Sequence, residues 1–133
     1  MKSSLKKEGW YLSWFKKAEE DELSIGAILK EGSPSTACFL CQQMAEKYLK
    51  GLLIFYGKEF PKIHDLERLE DLLLEDEPDI AHLHSDLSLL NRYSVETRYP
   101  DDREEFSLVE AEEAYVAARK IKDFVLDAVY SKK

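Results

Sequence analysis

Apolar positions recur at a helical period through most of the chain, and glycine and proline punctuate the runs. From about Tyr11 to Lys30, Trp14, Phe15, Ala18, Ile25, Ile28 and Leu29 share one face, and Gly32 stops the run. Asp21 and Glu22 interrupt that face by one turn, and carboxylates buried there need partners. Arg98 or Arg92 would satisfy one of them. A second helix is predicted from Ser33, suited to the N-cap with Pro34 at the first helical position, to Tyr56, with Gly57 placed to end it. Its main face holds Ala37, Cys41, Met44, Ala45, Tyr48, Leu52 and Phe55, while Phe39, Leu53 and Ile54 lie on the other side. The polar strip is little more than Gln43, Glu46, Lys47 and Lys50. A helix this apolar all round is central to a bundle or sits in a dimer contact.

Three further segments follow. A short helix from about Asp65 to Glu75 turns Leu66, Leu69, Leu72 and Leu73 inward, and "EDEPD" breaks it. A fourth, from about Asp79 to Thr97, aligns Ile80, Leu83, Leu87 and Leu90; Pro100 disfavours helical geometry at Tyr99 and stops it there. A fifth starts at Ser107, which has the capping-box spacing to Glu110, and carries a stripe of Ala111, Ala114, Tyr115, Ala118, Ile121, Val125 and Val129. No segment alternates as a strand does. The pattern therefore predicts an all-α chain whose long helices 1, 2, 4 and 5 form a bundle, as a single domain over residues 1–133.

Composition narrows the function classes. At 44% hydrophobic and 35% charged residues, with no apolar run long enough for a membrane span, the chain reads as soluble. Its start lacks the apolar stretch of a signal peptide, and two cysteines without a secretion signal suggest a cytoplasmic location. The net charge of −8 argues against broad nucleic-acid binding, but a local basic cleft remains compatible with it. Acid concentrates in residues 67–79 and 101–106, whereas Lys47, Lys50, Arg92 and Arg98 stand in less acidic surroundings.

Several constellations bear on chemistry. "CFLC" (38–41) has redox spacing, but no strand precedes it and Cys41 falls on an apolar face, which favours buried structural thiols. In "HLH" (82–84) the two histidines point about 200° apart on a helix, so one ion is not gripped by both; a solvated face is expected, and no metal or cofactor. In "KIHDL" (62–66) Asp65 suits the N-cap of helix 3, and His64 either plays no part or points into a cleft as an acid, base or phosphate contact. In "NRYSVETRYPDD" (91–102) the helical angle sends Arg92 and Arg98 to different sides. Arg98 sits where a helix C-terminus favours a cation, or together with Tyr99 it rims an anion or nucleotide site.

The ordered set "WFKKAEED" (14–21), "ACFLCQQMAEKYLKGLLIFYG" (37–57), "HDLERL" (64–69) and "RYPDD" (98–102) resembles the HEPN domain (higher eukaryotes and prokaryotes nucleotide-binding) over nearly the whole chain. The resemblance implies an up-and-down four-helix bundle with an additional short helix, commonly homodimeric. It also implies a frequent partner, a minimal nucleotidyltransferase encoded nearby, in pairs that resemble toxin–antitoxin systems. Many members are metal-independent ribonucleases with an arginine followed by histidine after four to six residues. The three histidines here are His64, His82 and His84; the one arginine ahead of His82 and His84 is Arg68, too far upstream, and no histidine follows Arg92, Arg98 or Arg103. The ribonuclease motif is absent, and Glu22 stands where the family usually has an apolar residue. The expected function is a binding module for a nucleotide or a nucleotidyltransferase partner. Its phosphate contacts are drawn from Lys47, Lys50, His64, Arg92 and Arg98, with Tyr99 stacking on a base and Asp21 and Asp101 in support. The alternative is an RNA endonuclease toxin with a rearranged site.

Overall fold

The computed structural model describes residues 2–94 and 105–131, with side chains from residue 9 onward. These form α1 (Lys2–Glu31), α2 (Pro34–Phe55), α3 (Leu66–Leu73), a 3-10 turn (Pro78–Leu83), α4 (His84–Asn91) and α5 (Leu108–Ser131), with no strand among the described residues. The short link after Glu31 folds α2 back along α1, and α2 then touches α1, α3, α4 and α5. No helix among the described residues is long and apolar enough to cross a membrane.

Of its two possible settings, α2 takes the bundle centre. Cys38, Leu49 and Leu53 are buried alongside the main face, and Phe39 and Ile54 are half covered. Close approach depends on Gly51, where an added Cβ would lie 2.6 Å from the Phe15 ring and 3.2 Å from Trp14 Cβ. Ser33 occupies the N-cap position with extended geometry, but its side chain makes no capping bond. At the other end Gly57, at φ 72°, completes a Schellman closure: its N–H reaches Ile54 O at 2.8 Å and Lys58 N–H reaches Leu53 O at 2.9 Å.

Asp65 caps α3 as its position suggests, accepting from the Glu67 and Arg68 backbone at 3.0 and 3.4 Å. Ser107 and Glu110 make the reciprocal capping box of α5, at 3.1 and 3.0 Å. The fourth helix departs from expectation. Pro78 opens a tight 3-10 turn, and α4 ends at Asn91 instead of continuing to Thr97. One distant and one local demand end it. The Asn91 side chain turns to α3, accepting from Leu66 N–H and donating to Asp65, both at 2.8 Å. Arg92, Tyr93 and Ser94 then switch to bonds with carbonyls three residues back, which carries Tyr93 into the core against Phe106 at 4.7 Å between ring centroids. The Phe106 N–H is held by Ser35 Oγ at 2.9 Å, tying the entry of α5 to the start of α2.

Candidate functional site

Residues 42, 46 and 50 recur every fourth position, so Gln42, Glu46 and Lys50 line one edge of α2. Glu46 and Lys50 are almost fully buried, at 4% and 6% exposure. Burial of either charge alone would be costly, and the Glu46 carboxylate lies 2.9 Å from the Lys50 ammonium. The same carboxylate receives Gln42 Nε2 at 3.2 Å and His64 Nδ1 at 2.9 Å, while Gln42 also donates to the His64 carbonyl at 2.9 Å. Beside an ammonium the carboxylate acts as acceptor, so Nδ1 is the donor and the ring orientation is fixed. His64 remains 44% exposed in its side chain, and Nε2 has no partner among the described residues. Lys50 is further enclosed by the rings of Phe60 and Trp14, at 5.4 and 5.8 Å.

The adjacent Lys47 points to α1, where it pairs with Asp21 at 2.7 Å in a partly buried bridge. Glu22 crosses to α5, accepting from Lys122 and from the Tyr115 hydroxyl, each at 2.8 Å. Burial alone would raise the Glu22 pKa, but these two hydrogen bonds and the positive charges of Lys122 and Arg119 outweigh it and hold it low. Among the described residues, lysines on α2 and α5 meet Asp21 and Glu22, and Arg92 approaches Glu110 instead of either; the alternative partner, Arg98, lies outside the described residues. Tyr115 and Lys122 lie seven positions apart on α5, two turns along one face. That spacing was the available signal for the Glu22 site.

Among the described residues, the candidate cations do not form one cluster. Lys47 faces α1, Lys50 and His64 share Glu46, and Arg92 lies at the end of α4 with its side chain 57% exposed, 3.9 Å from Glu110 and over the Tyr93 ring. The Asn91–Asp65 bond joins the α4 end to the segment carrying His64, so Arg92 and His64 each adjoin that junction in the chain. Arg98, Tyr99 and Asp101 lie outside the described residues.

The cysteine and histidine motifs lie elsewhere in the bundle. Cys38 and Cys41 are buried and not joined in a disulfide, and burial, with Cys38 and Glu22 nearby, pushes the Cys41 thiol up to about 12. No group of metal-binding side chains occurs among the described residues. His82 is exposed. His84, more than half exposed, nonetheless binds buried Glu70 through Nδ1 at 2.8 Å, a bond that raises its pKa together with the negative charge of Glu70.

The profile of the HEPN domain matches residues 11–128. Among solved structures, the chain is similar to TT1696 from Thermus thermophilus, at 31% identity and a TM-score of 0.80, with 89% of this chain and 97% of that one covered. It is also similar to ST0689, described as an archaeal HEPN homologue, at 30% identity and a TM-score of 0.74, with 90% and 97% covered. No curated protein matches. The common helical order, the extent of the match and the shared identity place this chain in the HEPN domain family.

Proposed function

We propose that this HEPN domain is a homodimeric binding module, without ribonuclease activity, that takes a nucleotide, a minimal nucleotidyltransferase partner, or both, in a toxin–antitoxin-like pair. The observation that carries the reading is the internal pairing of the α2 cations. Asp21 holds Lys47, and Glu46 holds both Lys50 and His64, so the edge is a preorganised charged frame with His64 Nε2 turned outward. In this reading His64 and the exposed Arg92 meet phosphate, with Arg98 alongside. Lys47 and Lys50 supply positive charge from behind, Tyr99 stacks on the base, and Asp21 and Asp101 orient the cations. Calorimetric titration with ATP and GTP tests it: saturable heat, reduced in Arg92→Ala and His64→Ala, is expected. No heat at millimolar nucleotide overturns the nucleotide half, and failure of a co-expressed short nucleotidyltransferase to co-purify overturns the partner half.

One observation favours a second reading. A buried carboxylate orienting an imidazole is the arrangement a general acid or base needs, so the Glu46–His64 pair supports an RNA endonuclease with a rearranged site. That reading requires RNA cleavage in EDTA that disappears in His64→Ala.

A further inference from the structure

The outer face of α5 carries an unusual arrangement. Val116 is 53% exposed and Val109, two turns earlier on the same stripe, 62% exposed. Around Val116 the charges divide by sign: Glu112 and Glu113 precede it, and Arg119 and Lys120 follow it, all exposed. Each acid stands seven positions from a base, about 10 Å along the axis, too far for the two to pair within one helix. Neither Glu112 nor Glu113 has a partner among the described residues. Arg119, exposed, lies over the Tyr115 ring at 5.6 Å, and Lys120 makes only a 3.8 Å approach to Asp86. Shallow grooves of about 440 and 190 Å³ flank Val116 on its two sides.

We propose that this face seats a second copy of the chain, with the two α5 helices antiparallel and a two-fold axis at Val116. A two-fold axis perpendicular to an antiparallel helix pair places each residue opposite the one equally far on the other side of the axis, with its lateral offset preserved. At 100° per residue, Glu112 and Arg119 fall on one flank of Val116, and Glu113 and Lys120 on the other. Glu112 therefore meets Arg119 of the second copy and Glu113 meets Lys120. Symmetry repeats both pairs, and the Val116 side chains meet at the centre. The pattern is self-complementary only in this orientation: parallel helices would set acid on acid and base on base. The inference rests on the homodimer part of the proposed function and assigns its face; the nucleotide part does not enter.

Analytical ultracentrifugation of three purified full-length variants tests it. Glu112→Lys with Glu113→Lys makes the face wholly basic, and Arg119→Glu with Lys120→Glu makes it wholly acidic. Each variant should dissociate at least about tenfold more readily than the wild type, because four exposed contacts become repulsive. Mixing the two should restore a dimer, as should the chain carrying all four substitutions. Circular dichroism confirms folding, and the restored species keeps the test decisive if one variant alone is unstable. A wild-type dimer that neither variant weakens overturns this face while leaving the homodimer reading intact, as does a mixture that stays monomeric. A wild type found only at the 15.5 kDa of one chain overturns both.

Discussion

Glu46→Ala removes the carboxylate shared by Lys50, His64 and Gln42. Lys50, at 6% exposure, is then a buried ammonium without its counter-charge. Removing one partner of a buried pair costs about 3–5 kcal/mol, and the lower end applies here because the Trp14 and Phe60 rings still face the ammonium. For a chain of 133 residues, a loss of about 3 kcal/mol corresponds to a fall in Tm of about 10 °C. Urea unfolding followed by circular dichroism reads the loss directly. Glu46→Met combined with Lys50→Met leaves no buried charge, and packed apolar side chains should bring stability back to within about 1 kcal/mol of the wild type. If Glu46→Ala costs under about 1 kcal/mol, or the double variant is no better than the single one, the pair does not hold the α2 edge as argued.

Three other outcomes are expected. Gly51→Ala should destabilise by about 1–2 kcal/mol, because the new methyl strikes the buried Phe15 ring, whereas Gly26→Ala meets nothing within 4 Å and should gain up to about 1 kcal/mol from helix propensity; thermal melts of the two distinguish packing from propensity. Tyr48→Phe should be neutral or stabilise by about 1 kcal/mol in urea unfolding, because the buried Tyr48 hydroxyl has no hydrogen-bond partner among the described residues. His84 binds its proton more tightly when folded, chiefly through its bond to Glu70. Its contribution is therefore complete below pH 6.5, the ordinary histidine value, and fades as pH rises through the higher folded value. The stability lost in His84→Gln should consequently be larger at about pH 5.5 than at about pH 8, and equal losses at both would refute the pairing.

The helices were legible where local chemistry acts alone. Asp65, Ser107 with Glu110, and Gly57 each mark a helix end through bonds a few residues away, and all three ends stand where the sequence places them. The end of α4 was not legible, because Asn91 serves Leu66 and Asp65, twenty-five residues or more earlier in the chain. Tyr93, buried at 1% exposure, was hidden for the same reason: its ring enters the core only because the chain leaves the helix there. The site was half legible. Spacing along α2 sets Glu46 and Lys50 side by side, and "KIHDL" singled out His64, but that His64 returns to Glu46 depends on the path between α2 and α3. Likewise Asp21 and Glu22 were recognisable as carboxylates needing partners, while their meeting Lys47, and Lys122 with Tyr115, depends on α1 and α5 both packing against the central α2.

The central claim is that the charged frame around Glu46 serves binding and not cleavage. Incubating the purified full-length protein with mixed cellular RNA in EDTA, and following the RNA on denaturing gels, tests it most directly. The account predicts RNA as intact as in the protein-free control, for the wild type and for His64→Ala alike. Cleavage by the wild type that vanishes in His64→Ala would contradict it and make the Glu46–His64 pair a catalytic one.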